Sequence, residues 1–258
     1  MKLNIDTKVI FKVASKKDPD KYSKGLGEAH CVLWSSKKKL NNLQWMPYNK
    51  LIAVIDGVEF IFTPDSITNS FKDSDRFVKG CGKKEKEVIK NYSQNVQQLI
   101  KEYVDTDYTI GSSIIFPISI NGESIKYTMN IARGMSAKVH DRIDYTLECI
   151  RRYYKTIDDN PLIKAIEKSG AFFKLFNSFE DYVDFFFLND LIDESGNVIS
   201  FTGLIDFNNP FPNTSEEYMT YLKNTMSFVE KRNRRIQEYA DKYIYKKCYN
   251  TVKSNAIK

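Results

Sequence analysis

Residues 108–154, YTIGSSIIFPISINGESIKYTMNIARGMSAKVHDRIDYTLECIRRYY, decide how the rest of the chain is read. The first part has the pattern of a β-hairpin: a strand over 108–118, the turn Asn121-Gly122, and a second strand over 123–131. Asn and Gly both tolerate positive φ, as a tight hairpin turn requires. The segment Asn130-Ile131-Ala132-Arg133-Gly134 then reads as a short turn. After it, residues 141–154 fall on a helix whose two faces separate cleanly at about 100° per residue. Ile143, Leu147, Ile150 and Tyr154 share one arc and should face the core. Asp141, Asp144, Glu148 and Arg152 share the opposite arc, with Arg151 at its edge.

That charged arc has two readings. As a solvated face it needs nothing further, because Glu148 and Arg152 are an i,i+4 pair and acids near a helix N-terminus suit its dipole. As a site it draws on the preceding turn. A glycine there lets the backbone approach a ligand, and an arginine binds phosphate or carboxylate with two prongs. Carboxylates beside such an arginine would serve as a general base or hold Mg²⁺ against phosphates.

Working outward, LIAVI-DG-VEFIF at 51–62 is a second hairpin signal of the same kind. Residues 3–13 alternate as a strand and run into a loop that presents Lys16, Lys17, Asp18 and Asp20 around Pro19. Thr63-Pro64-Asp65-Ser66 resembles a helix start, with Asp65 or Ser66 capping a helix through Phe71. Residues 72–83 read as a loop and 84–104 as an amphipathic helix. The C-terminal half is mostly helical. Asn160-Pro161 opens a helix through Lys168, and Ser178 caps one through about Leu191. A short strand follows over 198–201. Thr214-Ser215-Glu216-Glu217 is a capping box that starts a long helix to about Lys247. The expected architecture is a single α+β domain over residues 1–258, with antiparallel hairpins at about 51–62 and 108–131 packed on a helical C-terminal half.

Composition narrows the chemistry. The chain has 258 residues, 42% hydrophobic and 28% charged, with a formal net charge of +6, which permits an anionic partner without demanding one. Its 17 Phe and 16 Tyr predict a core of large rings. Trp34 and Trp45 are expected there too. Four scattered cysteines and two histidines offer no zinc spacing, so no metal site built on them is expected. Cys31 and its neighbour His30, read as strand residues, would point to opposite faces. There is no Walker loop, no G-x-G-x-x-G and no G-x-S-x-G. No apolar run approaches a membrane span, and the N-terminus lacks a signal peptide, so a cytoplasmic protein without a membrane partner is expected.

Several strings together resemble a bacterial family catalogued only as a domain of unknown function. They are K-D-P-D at 17–20, Leu33-Trp34, Asp65-Ser66, YTIG at 108–111, Phe116-Pro117, N-x-A-R-G at 130–134, D-R-x-D at 141–144, LECIRR at 147–152, YVDFF at 182–186 and Asn233-Arg234. The resemblance runs over most of the chain. It implies one shared domain and a shared polar set that includes Arg142.

The expectation is an enzyme acting on a phosphate-bearing substrate, nucleotide or nucleic acid. Asp141, Asp144 and Glu148 are its catalytic candidates, and Mg²⁺ is a candidate cofactor. Lys17, Asp18, Asp20, Asn130, Arg133, Arg151 and Arg152 are the substrate-binding candidates. The alternative is a non-catalytic nucleic-acid- or protein-binding regulator or inhibitor. It would use the basic last helix, with Lys231, Arg232, Arg234, Arg235, Lys242, Lys246 and Lys247 among tyrosines. Asp184 and Asp190, inside an aromatic helix, are expected to pair with one of the arginines of the charged set.

Overall fold

The computed structural model describes residues 5–11, 18–67, 98–99, 102–103, 106, 108–121, 123–124, 128–210, 212 and 214–245. Expectations for 72–83, for most of 84–104 and for Lys16, Lys17, Lys246 and Lys247 lie outside these residues.

The frame is an antiparallel sheet in chain order: β1 (Gln44–Met46), β2 (Lys50–Ile55), β3 (Val58–Ser66), β4 (Ser113–Ile120) and the two-residue β5 (Glu123–Ser124). Both expected hairpins form. Asp56 and Gly57 turn at φ 50° and 77°, and Asn121 turns at φ 49°. β3 is longer than the sequence suggests. Its last four residues, expected to start a helix, pair instead with Ser113–Phe116 of β4. Pro64 fits there because β2 pairs β3 only as far as Phe62, so no second ladder needs its missing N–H. A register shift at Ile61/Phe62 accommodates Pro117 on β4.

Around the sheet lie α1 (Pro19–Tyr22), α2 (Lys24–Ser35), α3 (Met129–Met135), α4 (Ile143–Tyr154), α5 (Ile163–Lys168), α6 (Gly170–Phe173), α7 (Phe179–Phe185) and α8 (Ser215–Tyr239). Side-chain caps account for several starts. Ser23 accepts from the Leu26 amide, Ser178 from Asp181, and Thr214 from Glu217. Other expectations change as well. Described residues 5–11 hold a turn rather than a strand. Residues 129–131 open α3 instead of ending a strand. The strand expected at 198–201 reduces to one bridge, Ile192 with Val198. α7 stops at Phe185, and α8 passes into a π-helical turn at Ala240–Tyr245.

Pleating puts Phe60, Phe62 and Pro64 on one face of β3, and Thr63 and Asp65 on the other, beside Phe116 and Ile114 of β4. Phe172 of α6 packs on Phe60 and Phe62, and with Phe176, Tyr182, Phe185, Phe186 and Trp34 it builds a ring cluster. Trp34 is fully buried as expected, whereas Trp45 is 40% exposed. Lys37 closes the cluster: its ammonium lies 3.6 Å from the Phe187 ring centre and donates to the Asp184 and Phe185 carbonyls at the end of α7. That placement suits a cation at a helix C-terminus.

α8 abuts the strand-entry turn before β4. Gly111 donates its amide to Asn233 Oδ1 at 2.7 Å, and a Cβ on Gly111 would lie 2.6 Å from the Val229 carbonyl oxygen. That oxygen belongs to helix backbone and cannot move aside. Gly111→Ala is therefore expected to cost about 1–3 kcal/mol in urea unfolding, the usual range for overpacking; an unchanged midpoint would show that the contact yields.

Candidate functional site

The charged arc of α4 does not face solvent. Residues 143–150 are buried on every side, and the polar groups read from the sequence divide into three separate clusters.

The first is centred on Arg133. It sits on α3, not in a turn, and is fully buried over the Phe116 ring at 4.4 Å. Its Nε donates to Thr146 Oγ1 at 2.9 Å, its Nη1 to Asp65 Oδ2 at 2.5 Å, and its Nη2 to the Asp141 carbonyl at 2.8 Å and the Ser66 carbonyl at 3.4 Å. Asp141 Oδ1 also approaches Nη1, at 3.2 Å, out of line for a hydrogen bond. The backbone curls to make this. His140 and Asp141 take φ of 49° and 60°, and the Asp141 amide returns to the Arg133 carbonyl. Two successive left-handed non-glycine residues cost about 1–2 kcal/mol each, and the guanidinium bonds offset this. Gly134 lies beside Asp141, where a Cβ would meet its carboxylate in ordinary contact at 3.7 Å.

Asp65 and Asp141 thus converge on one nitrogen. Burial, then Asp141, push the Asp65 carboxyl well above the usual range against the pull of Arg133; Asp20 and Asp18 add to the push. Burial raises Asp141 too, opposed by Arg133 and His140. Asp65 is the more enclosed, at 16% side-chain exposure against 37% for Asp141. Asp65 is therefore the one that holds a proton longer. Asp18 caps α1 through its carboxylate and pairs with Lys21 at 3.4 Å, and Asp20 follows on the same turn. Both lie near enough to Asp65 for their charges to raise its pKa; Lys17 lies outside the described residues. Asn130 stands half-buried on the first turn of α3.

Asp65 is held by a relay that starts in α2. Trp34 Nε1 donates to His30 Nδ1 at 2.8 Å, so His30 Nε2 carries the hydrogen and donates to Ser113 Oγ at 3.0 Å. Ser113 in turn donates to the Asp65 carbonyl. Burial, and then Arg232, lower the His30 pKa to about 3, which keeps the ring neutral. His30 and Cys31 lie on a helix, not a strand. Sequence reasoning missed His30, Ser113, Thr146 and the partnership of Asp65. Only the Asp65-Ser66 string pointed to one of them.

The second cluster is closed. Arg142 and Asp144 are fully buried and pair at 2.5 Å; Arg142 also reaches the Pro210 carbonyl at 2.5 Å, and Asp144 accepts the Phe201 amide at 2.9 Å. The third is Glu148, held by Arg151 Nε at 2.7 Å and Arg152 Nε at 2.8 Å, with Arg152 over Phe207. These arginines hold the Glu148 carboxyl below its usual value in spite of burial.

The basic last helix is depleted. Arg232 is fully buried, donating to the Phe186, Gly111 and Ser113 carbonyls, and burial lowers its pKa to about 9. Arg235 forms two bonds to Asp190. Asp190 therefore pairs with α8 and not with the α4 set, and Asp184 is exposed, accepting from Asn189. No helix among the described residues is long and apolar enough to cross a membrane.

The chain belongs to a family of unknown function, DUF6994, whose model matches residues 4–236. No curated protein and no solved structure matches it.

The two perturbed carboxylates should act on stability with opposite pH signs. Asp65 has its pKa raised by folding, so its contribution is full below the ordinary value of about 4 and is lost as pH rises through the raised one. Glu148 has its pKa lowered, so its contribution is full above about 4.3 and is lost as pH falls through the depressed one. In urea unfolding at several pH values, Asp65→Asn should gain on the parent as pH rises from 4 to 8, in steps of about one unit. The deficit of Glu148→Gln should shrink as pH falls towards 3. Parallel pH profiles for the two variants would contradict this assignment.

Proposed function

We propose that this chain is an enzyme acting on a phosphate-bearing substrate, a nucleotide or nucleic acid, with Asp65 and Asp141 as its acid–base pair. The observation that supports this most is the convergence of both carboxylates on Arg133 Nη1, with both pKa values pushed upward. Two desolvated carboxylates that share a site do not both ionise, so one retains a proton where free aspartate would not. Asp65, the deeper, holds the proton as general acid. Asp141, the more open, takes one from an attacking water or hydroxyl.

Arg133 has a different part from the anion clamp expected of it. Four of its five N–H groups donate to Asp65, Asp141, Ser66 and Thr146 and its side chain is fully buried, so it positions the pair and presents no open prong to a phosphate. A phosphate meeting Asp141, Asp65 and Asp18 is repelled unless a cation comes with it. Mg²⁺ suits this donor set, because it is held by one or two carboxylates together with substrate phosphates and keeps its remaining waters. Asp141 and Asp18, each 37% exposed, are the residues to hold it. Among the described residues no group of three or more His, Cys, Asp or Glu is placed to hold a metal alone. Bound there, Mg²⁺ would neutralise phosphate charge. Asp144 has no open surface and Glu148 is taken up by two arginines, so both serve the scaffold in this reading.

The test is a screen of nucleotides, phosphomonoesters and short oligonucleotides for hydrolysis or transfer with Mg²⁺. Asp141→Asn should lower kcat by about 100-fold or more, as loss of a general base does, with melting temperature close to that of the parent. Glu148→Gln should retain kcat within severalfold. Full turnover in Asp141→Asn, or turnover indifferent to EDTA, contradicts the proposal.

A further inference from the structure

An exposed aromatic patch joins α1, which carries Asp20 and is capped by Asp18, to the connection between β1 and β2. Trp45 and Tyr48 are 40% and 63% exposed, and Tyr22 of α1 is 44% exposed. Tyr22 follows Asp18 by one helical turn, its amide donating to the Asp18 carbonyl at 3.0 Å. The Tyr22 and Tyr48 rings meet edge to face, 6.0 Å apart at 87°. With Tyr48 63% exposed, much of its ring surface meets solvent in spite of this contact.

This patch is exposed but firmly held. Tyr48 and Asn49 take φ of 62° and 54°, the left-handed region that bulky residues rarely enter. Asn49 is buried and donates to the Asp20 carbonyl at 3.0 Å and the Ser23 carbonyl at 2.6 Å, tying the loop to the backbone that carries Asp18 and Asp20. α2 closes against it at Gly27. A Cβ there would come 2.1 Å from Asn49 Oδ1 and 2.7 Å from Trp45 Nε1. Backbone strain and a glycine contact are thus used to fix rings that bury little of themselves, a pattern that marks a binding surface.

We infer that Tyr48, with Tyr22 and Trp45 beside it, is a stacking platform for the nucleobase of the substrate whose phosphates meet Asp18 and Asp141. This rests on the proposed function and narrows it to nucleotides or nucleic acid, as against phosphosugars or free polyphosphate. Base stacking on an aromatic ring tolerates any base, so the platform confers preference for nucleotides without choosing among them.

Calorimetric titration of the full chain with the four Mg²⁺-bound ribonucleoside triphosphates, and with Mg²⁺-bound tripolyphosphate, separates the two ideas. Each nucleotide should bind about tenfold or more tightly than tripolyphosphate. Tyr48→Ala should erase that advantage and leave tripolyphosphate binding unchanged, while Tyr48→Phe keeps it. Equal binding of nucleotide and tripolyphosphate, or an equal loss of both in Tyr48→Ala, overturns the platform and leaves the carboxylate site standing. Nucleotide binding that depends on Tyr48 but not on Mg²⁺ or Asp141 upholds the platform and overturns the carboxylate reading. Binding of neither probe overturns both.

Discussion

Arg133 is the residue on which the rest of the arrangement depends. Its buried guanidinium joins the end of β3 through Asp65 and Ser66, the start of α4 through Thr146, and the curled segment between α3 and α4 through the Asp141 carbonyl. Removing one partner of a buried pair costs about 3–5 kcal/mol, because the other charge is left without compensation. An exposed pair such as Arg235 with Asp190 is worth about 1 kcal/mol or less. The difference explains how two left-handed residues, His140 and Asp141, are tolerated beside it. The same bonds that stabilise the fold press two carboxylates together, so the architecture and the proposed acid–base chemistry would share one cause.

The hairpins were legible because their signals are local. Asp56-Gly57 and Asn121-Gly122 demand positive φ, and the flanking β-branched and aromatic runs leave few alternatives. Caps at Ser178 and Thr214 were legible for the same reason. Thr63-Pro64-Asp65-Ser66 was not. Its residues satisfy a helix-start pattern, but pairing with Ser113–Phe116 prevails, and that partner lies some fifty residues away. Tertiary pairing overrides a local preference worth about 1 kcal/mol.

The site was partly legible. The string around Arg133 holds the guanidinium that meets Asp65 and Asp141, and Asp18 and Asp20 act on Asp65 through their charge. The division of roles on α4 could not be read. Helical periodicity assigns polar residues to solvent, whereas α4 is enclosed and inserts Arg142 with Asp144 into the interior as a closed pair. The His30–Ser113–Asp65 relay joins three elements far apart in sequence, and nothing in the local composition announces it. The basic stripe on α8 misled in the converse way: Arg232 turns inward to three carbonyls, and Arg235 is spent on Asp190.

Raised carboxylate pKa values are the most exposed part of this account, since they tie burial, the convergence on Arg133 and the proposed chemistry together. The direct measurement is a ¹³C NMR titration of the aspartate side-chain carboxyls, assigned through Asp65→Asn and Asp141→Asn. The pair should titrate in two steps, one of them well above the ordinary value of about 4. If Asp65 and Asp141 both titrate at or below that value, Arg133 merely neutralises them, and no acid–base pair exists at this site.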